Sequence, residues 1–356
     1  MDARRILITG GAGFVGSSLA IRFAQYYPNL VITALDNLKR RGSELNLTRL
    51  RAHGIQFLQG DVRCPEDLAA LEPCDLLIDC AAEPSVQAGT NGSPQYVLNN
   101  NLVGTLHCLE AARRWNAAVL LLSTSRVYPI RALNDLPFEE APTRYRWLDP
   151  PLATPGFSPA GIAESFALDG ARSFYGTSKL CSEFLLQEYA ATGLRTLINR
   201  CGILAGPWQM GKVDQGVITH WIASHHYERP LRYLGFGGQG KQVRDVLHVD
   251  DLFDLIVRQL NHDEAWNGSV FTVGGGAEVS TSLRELTTLC QALTEKNVPI
   301  ESVPETSAVD LRIYLSDSRR ALATFGWQPQ RSLQNVVTDI HHWIVTHDAD
   351  LKTIFS

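Results

Sequence analysis

The chain has 356 residues, of which 45% are hydrophobic and 19% charged, with a formal net charge of -5. This balance predicts a globular protein, and the negative charge argues against nucleic acid as a partner. Seven cysteines without C-x-x-C spacing fit a reducing compartment, and the histidines lack zinc spacing, so no metal is predicted. No apolar run reaches the roughly 18 residues of a membrane span, and no secretory signal pattern opens the chain. We therefore expect a soluble, cytoplasmic protein.

Short apolar runs alternate with helical patterns over the first two hundred residues. The runs are apolar on both faces and too short for buried helices, as is typical of parallel strands covered by helices. Amphipathic stretches at 97–114 and 174–189 lie between them. The expected strands are 5–9, 31–36, 55–58, 76–79, 118–123 and 196–200. This alternation predicts an α/β fold with a doubly wound parallel sheet.

The first expected strand leads into T-G-G-A-G-F-V-G and then into a helical stretch. Gly10, Gly13 and Gly16 permit a tight turn and a close backbone approach to a diphosphate. The helix N-terminus supplies free N–H groups and a partial positive charge. Between a first strand and a first helix, this spacing predicts a dinucleotide site.

Acidic residues end the next two expected strands. Asp36 is placed to accept hydrogen bonds from ribose hydroxyls and to repel a 2′-phosphate, which favours NAD over NADP. The basic residues 39–41 lie close by and argue the other way. Asp61 and Val62 follow the third strand at the same edge, where Asp61 either contacts the adenine or only forms a turn.

Tyr175 and Lys179 form a Y-x-x-x-K pattern in a helical stretch, so both side chains share one face. A free tyrosine, with a pKa of about 10, is a poor base at neutral pH. A nearby ammonium and a positively charged nicotinamide stabilise the phenolate and lower that pKa. Thr124, at the end of the fifth strand, is placed to hold a substrate alcohol, with Ser123 beside the cofactor.

The second half of the chain is less regular. Residues 130–169 are rich in proline, aromatic and charged residues, and unstructured loops of that length are usually functional or mobile. Beyond residue 205, glycine- and proline-rich segments separate helices near 250–260, 283–295 and 333–346. We expect residues 1–205 to form an NAD-binding domain that includes the 130–169 insertion. Residues 206–356 form a smaller substrate-binding domain, part of which returns to the main sheet.

The chain resembles the extended short-chain dehydrogenase/reductases, a family of NAD-dependent nucleotide-sugar epimerases and dehydratases, over nearly its whole length. The motifs are T-G-G-A-G-F-V-G, D-N-L, G-D-V, N-x-x-G-T, S-T-S-R-V-Y, Y-G-T-S-K and V-R-D-V-L-H-V-D-D. The resemblance implies a Rossmann fold and catalytic roles for Thr124, Tyr175 and Lys179. The implied NAD contacts are Gly10, Gly13, Phe14, Val15, Gly16, Asp36, Asn37, Asp61, Val62, Ala81, Ala82, Asn101, Ser123, Tyr175 and Lys179.

Longer signatures are similar to the CDP-paratose (CDP-tyvelose) 2-epimerase group of this family. They lie at 142–145, 200–216 and 240–248. The similarity implies a CDP-sugar substrate, reversible inversion at C2 through a 2-keto intermediate, tightly bound NAD, and a homo-oligomer, dimer or tetramer. The implied substrate contacts are Thr124, Arg144, Gln209, Val213, Gln215, Arg244 and Arg312. Arg244 and Arg312 fall where the family binds the diphosphate, whereas residues 143–145 either line the pocket or only pack a loop.

Two departures from the wider family are Pro129, where glycine usually follows V-Y, and Glu83, where glutamine or glycine is more usual. Several functions stay open. A 4,6-dehydratase carries an acid pair directly after its catalytic threonine, but Ser125 and Arg126 stand there, which favours epimerisation over elimination. A 4-epimerase or dehydrogenase on another NDP-sugar is the alternative. A scaffold or redox sensor without activity is disfavoured by the intact trio.

Overall fold

The computed structural model describes residues 3–150, 152–212 and 215–355. Helices and strands alternate through its first half. The strands β1–β17 are Arg5–Thr9, Val31–Asp36, Gln56–Gln59, Leu76–Asp79, Ala118–Thr124, Phe138–Glu140, Tyr145–Trp147, Phe157–Ser158, Gly161–Ile162, Thr196–Cys201, Ile203–Ala205, Leu231–Leu234, Val243–His248, Asn267–Val273, Ser280–Ser282, Ile300–Val303 and Ile313–Tyr314. The helices α1–α13 are Phe14–Tyr26, Asn46–Ala52, Pro65–Ala69, Gln95–Leu98, Gly104–Trp115, Ile130–Asn134, Phe174–Ala191, Val217–His226, Val249–Gln259, Leu283–Thr294, Arg319–Phe325, Leu333–Thr346 and Asp348–Leu351.

Seven of the described strands form a central sheet in the order β14-β10-β5-β4-β1-β2-β3. Each neighbouring pair is parallel. The six strands expected from the sequence coincide with β1–β5 and β10 to within one residue at either end. The predicted doubly wound α/β fold is therefore confirmed. The strand order reverses between β1 and β4, and open parallel sheets bind ligands beyond the strand carboxyl ends at such a point.

The side chains of the central strands alternate between two hydrophobic clusters, because successive residues of a strand point to opposite faces. Ile6 and Ile8 belong to one cluster, which includes Phe253 of α9. Leu7 belongs to the other, which includes Leu109 of α5. Helices thus cover both faces, and the polar strand ends are left at the carboxyl edge.

The described residues of the segment 130–169 are folded. It contains α6 and two antiparallel pairs, β6–β7 and β8–β9. Tyr145, Trp147 and Phe157 are at most 8% exposed and share a hydrophobic cluster with Val243 of β13 and Ile313 of β17. Burial of these aromatic side chains orders a segment whose composition resembles a loop.

A smaller sheet is built around β13. Strands β11 and β17 pair with β13 in parallel and β15 pairs with it antiparallel. Helices α8, α10 and α12 supply a separate hydrophobic cluster beside this sheet. Within residues 3–150, 152–212 and 215–355, no helix is both long and apolar enough to cross a lipid bilayer.

Candidate active site

The glycine-rich loop between β1 and α1 is shaped by its own backbone. Gly10 has a φ of +62°, which favours glycine, and the Gly13 amide donates to the Gly10 carbonyl oxygen at 3.0 Å. A Cβ on Gly16 would lie 2.2 Å from that same oxygen. Phe14 and Val15 then open α1. The predicted cofactor residues of this segment therefore lie together at a helix N-terminus.

The same loop packs against the end of β4. A Cβ on Gly10 would lie 2.8 Å from the Cys80 carbonyl oxygen. The amide of Ala81 donates to Thr9 Oγ1 at 3.3 Å. Ala81 thus borders the glycine loop at the switch point of the sheet, Ala82 follows it in the chain, and their contact with the cofactor stays a prediction.

Asp36 connects the end of β2 to the glycine loop. Its carboxylate accepts the backbone N–H of Ala12 at 3.1 Å and that of Leu38 at 2.8 Å. Burial raises the pKa of Asp36, and these backbone hydrogen bonds oppose the increase. Asn37 donates to Asp61 Oδ2 at 2.9 Å and so bridges the ends of β2 and β3.

The carboxylate of Asp61 has a local partner. The Arg63 guanidinium donates to it at 2.9 and 2.6 Å, and these hydrogen bonds hold the pKa of Asp61 well below its usual range. Val62 is buried, and its carbonyl oxygen lies 2.8 Å from His107 Nδ1. These contacts match the turn-forming interpretation of Asp61, and its contact with adenine stays a prediction.

Two cations of the basic turn 39–41 contact other parts of the protein. The Lys39 ammonium lies 3.6 Å from the centroid of the Tyr96 ring. Arg40 donates to the Met210 carbonyl oxygen at 2.6 Å. The sequence argument that this turn could favour NADP is weakened accordingly.

Asn101 cross-links the loop after β4 to α7. It lies in a π-helical turn, Asn99–Val103, a feature that often marks functional sites. Its Oδ1 accepts the Glu83 amide at 2.7 Å, and its Nδ2 donates to Ser178 Oγ at 3.1 Å. Ser178 in turn donates to the Tyr175 carbonyl oxygen at 2.8 Å. The structure thus shows Asn101 fully buried between these segments.

The start of α7 brings two predicted catalytic residues together. Ser173 caps the helix by accepting the Gly176 amide at 3.1 Å, which places Tyr175 in the first turn. Thr124, 8% exposed, ends β5 beside it. Burial raises the pKa of Tyr175, and the hydrogen bond with Thr124 opposes that increase. A phenol and a hydroxyl therefore meet at the carboxyl edge of the sheet.

Lys179 lies one helical turn beyond Tyr175 and is 2% exposed. Within the described part of the chain, no hydrogen bond or ion pair engages its ammonium. A buried charge without a partner is costly, so this position suits a group that brings acceptors, such as the ribose hydroxyls of NAD. The glycine loop, which has no room for a Cβ at Gly10 or Gly16, fits the same cofactor.

The sequence reasoning missed a buried ion pair that lies next to Ser123, the residue before Thr124. Arg200 of β10 contacts Glu183 of α7 at 2.7 Å, with the side chains 5% and 1% exposed. The Ser123 hydroxyl donates to Glu183, and Arg200 also donates to the Tyr128 hydroxyl at 3.2 Å. The available signal was an arginine inside an apolar strand, with a glutamate four residues after Lys179 on one helix face. Contact of Ser123 with the cofactor stays a prediction.

Arg244, the first predicted diphosphate residue, lies half-buried on β13. Its guanidinium donates to Asp310 at 2.9 Å and to the Leu311 carbonyl oxygen at 2.6 Å. Burial lowers its pKa, and Asp310 opposes that effect. Asp310 was not singled out from the sequence, where nothing distinguishes it from a surface acid.

Arg312, the second, is enclosed by aromatic rings. Its guanidinium carbon lies 3.9 Å from the Phe138 ring centroid and 5.1 Å from that of Phe236. It also donates to the Asn134 carbonyl oxygen at 2.9 Å. Arg312 therefore joins the 130–169 segment to the smaller sheet, and its contact with a diphosphate stays a prediction.

The other predicted substrate residues have intramolecular partners. Arg144 forms an ion pair with Glu285 at 2.5 Å and donates to Ser280 Oγ at 3.0 Å. Gln209 donates to the Leu204 carbonyl oxygen at 2.9 Å and accepts from Thr219. Gln215 accepts from Arg40, and Val213 lies outside the described residues. No contact directly joins Arg144, Gln209 or Gln215 to Tyr175 within the described ranges.

Comparisons with known proteins agree with this geometry. The model of the NAD dependent epimerase/dehydratase family matches residues 6–274. A CDP-paratose 2-epimerase from Salmonella typhi is 30% identical over 351 residues, which cover 95% of this chain and 98% of the relative.

Two solved structures share the fold. Pal from Bacillus thuringiensis superposes with a TM-score of 0.78 at 26% identity, covering 96% of this chain and 99% of its own. A dTDP-glucose 4,6-dehydratase from Bacillus anthracis str. Ames, in complex with NAD, has a TM-score of 0.75 at 23% identity, with coverage of 99% and 100%. The similarity therefore extends over both sheets.

Proposed function

Because the chain belongs to the NAD-dependent epimerase/dehydratase family, we propose that it inverts a CDP-linked sugar at C2, as in the conversion of CDP-paratose to CDP-tyvelose. Its cofactor is NAD. The similarity to the Salmonella typhi enzyme supports CDP and C2. The pairing of Tyr175 with Thr124 at the sheet edge is the observation that carries the chemistry.

In the proposed cycle, Tyr175 as phenolate takes the proton of the sugar 2-hydroxyl, and Thr124 hydrogen-bonds the same oxygen. NAD, when bound, accepts a hydride from C2 and returns it. The substrate becomes a 2-keto sugar, which rotates to present its opposite face before the hydride returns to C2. Tyr175 then returns its proton to the sugar oxygen, so neither protons nor electrons are gained or lost overall. Lys179 binds the cofactor ribose and favours the phenolate.

Turning the sugar requires the rest of the substrate to stay in place. Arg244 and Arg312 are the proposed anchors, because a guanidinium can pair with two phosphate oxygens. Both lie half-buried near the 130–169 segment and the loop before β17. A fixed diphosphate leaves the bonds between phosphate and sugar free to rotate.

The residues after Thr124 distinguish this proposal from dehydration. Elimination of water needs an acid and a base beside the sugar, which dehydratases supply as two carboxyl side chains. Ser125 and Arg126 stand at those positions, and neither has a carboxylate. The described turn Ser125–Val127 places these two side chains directly after the catalytic threonine. The residues proposed for hydride transfer therefore occur without the acid pair that elimination needs.

A conversion assay tests the proposal. Purified enzyme is incubated with CDP-paratose, CDP-tyvelose, CDP-glucose and UDP-glucose, and the products are identified by NMR. We expect interconversion of the first two. Turnover of UDP-glucose without any CDP-sugar would favour a 4-epimerase, and no turnover with bound NAD would favour a scaffold.

Deuterated water separates epimerisation from dehydration. Direct hydride return leaves carbon-bound hydrogens unexchanged, whereas elimination and readdition at C5–C6 place solvent deuterium in the sugar. We expect no carbon-bound deuterium in the product. Deuterium at C5 would contradict the proposed chemistry.

A homo-oligomer belongs to the same proposal. Phe174 and Phe184 of α7 are 42% and 50% exposed, and large exposed apolar side chains are typical of protein interfaces. Light scattering should give the mass of a dimer or tetramer. A mass of 39.3 kDa, that of one chain, would contradict it.

A further inference from the structure

Two charged residues of opposite sign act on the Tyr175 phenol and have no part in the mechanism so far. One is Arg126, in the turn after β5. The other is Glu83, in the loop after β4. Glu83 stands where the wider family more usually has glutamine or glycine, and Arg126 stands where a dehydratase carries an acid. Both side chains are half-buried.

The turn that carries Arg126 is packed directly on the helix of Tyr175. A Cβ on Gly176 would lie 2.1 Å from the Arg126 carbonyl oxygen. The Arg126 amide donates to Thr124 Oγ1 at 3.2 Å, and its guanidinium donates to the Val309 carbonyl oxygen at 3.1 Å. The backbone of Arg126 is thus fixed against the Thr124 hydroxyl and against Gly176, the residue after Tyr175.

Glu83 is linked to the same helix through Asn101. Its amide and carbonyl oxygen both hydrogen-bond the Asn101 side chain, at 2.7 and 3.1 Å. Asn101 reaches Ser178, which donates to the carbonyl oxygen of Tyr175. The Glu83 carboxylate accepts only the nearby Ser85 amide, at 3.1 Å, among the contacts described for its oxygens.

The charges act on the phenol in opposite directions. Burial raises the pKa of Tyr175, Arg126 lowers it and Glu83 raises it. Cys201 of β10 faces the same phenol, but burial raises the pKa of its thiol to about 12, so it stays neutral. Lys179 of α7 adds a cation on the helix itself.

Arg126 is itself part of a wider cluster. Burial and the neighbouring Arg244 lower its pKa to about 10, whereas Asp310 and Tyr175 oppose that effect. Arg126 remains positively charged at neutral pH. Arg126 thus belongs to a cluster of two cations and one acid, with Arg244 and Asp310 as its charged neighbours.

We propose that Arg126 and Glu83 are paired positioning residues that balance the proton affinity of Tyr175 between its two tasks. The inference rests on the proposed function, because an epimerase needs one tyrosine to take a proton and then to return it. A cation alone would stabilise the phenolate but make it a weak base. An acid alone would keep the phenol protonated. Opposed charges keep both directions accessible, which suits a reversible inversion.

The test measures phenolate formation in the NAD-bound enzyme. Near-ultraviolet difference absorbance is recorded against pH, with Tyr175→Phe as the blank, since the chain has 10 tyrosines. Arg126→Gln should raise the apparent pKa of Tyr175 by about one unit, and Glu83→Gln should lower it by a similar amount. Arg126→Lys should restore the value. The proposal would be overturned if the apparent pKa of Tyr175 shifted in the same direction in Arg126→Gln and Glu83→Gln, or did not shift in folded variants.

The acid limb of kcat/KM should move with these titrations, upward for Arg126→Gln and downward for Glu83→Gln. Arg131→Gln is the matched control, because among the described residues its exposed side chain pairs only with Asp135, at 3.3 Å. An equal shift of the acid limb in this control would show that the net charge of the protein causes the effect, which would refute the proposal. If the apparent pKa of Tyr175 shifts in opposite directions in the two variants but no NDP-sugar is converted, the epimerase function alone is refuted. If a sugar is converted but these pKa shifts are absent, the roles of Arg126 and Glu83 alone are refuted.

Discussion

The cofactor side and the substrate side of the site are built by different means. On the cofactor side, the backbone of neighbouring residues forms the loop, as where Gly13 donates to Gly10. On the substrate side, arginine side chains meet partners distant in sequence: Arg244 and Asp310 are 66 residues apart, and Arg144 and Glu285 are 141 apart. Local backbone geometry leaves a recognisable motif, and long-range side-chain pairing does not. The following experiments probe this contrast, from the largest expected effect to the smallest.

Tyr175→Phe removes the proposed proton acceptor where the two sides meet. We expect turnover to fall by roughly 10²- to 10⁴-fold, the usual weight of a general base. Bound NAD should be unchanged, because the glycine loop is intact, and absorbance of the purified variant checks this. Turnover near that of the wild type would remove Tyr175 from the mechanism.

Glu183→Gln breaks the buried ion pair that ties α7 to β10. Loss of one partner leaves Arg200 charged and buried, so unfolding free energy should fall by about 3–5 kcal/mol. Urea titration at fixed NAD concentration measures it. Glu188→Gln, on an exposed part of the same helix, is the control and should change little. Equal losses in both variants would show that the pair does not stabilise this junction.

Asp36→Ser tests the cofactor side. It removes a carboxylate placed for the ribose and also one that accepts two backbone amides of the loop. We expect the binding free energy of NAD to weaken by about 1.5–3 kcal/mol, a loss of tenfold or more in affinity. The ratio of NAD affinity to NADP affinity should also decrease. Calorimetric titration with both cofactors measures this. An unchanged ratio would assign the preference elsewhere.

Arg144→Lys tests the substrate side. The guanidinium is engaged by Glu285 and Ser280, and lysine cannot reproduce that paired geometry. We expect a loss of about 1 kcal/mol in stability and an unchanged KM. A raised KM at unchanged melting temperature would instead place Arg144 on the substrate, as the sequence predicts.

Particular elements show how far the sequence could lead. The strands of the parallel sheet were predicted to within a residue because burial on both faces leaves a continuous apolar run. Thr124 and Tyr175, whose side chains are hydrogen-bonded in the structure, could both be selected from the sequence because a strand end and a helix start are local signals. The segment 130–169 looked irregular because its order comes from packing against β13 and β17, which lie far away in the chain.

By itself, the amino-acid sequence determined the parallel sheet, the glycine loop and the helical spacing of Tyr175 and Lys179, since these depend on neighbours within a few residues. Only the tertiary structure decided which charges surround them. Arg200 pairs with Glu183, Arg244 pairs with Asp310, and Glu83 and Arg126 act on the same phenol. Electrostatic effects depend on distance through space, and folding alone brings these groups together.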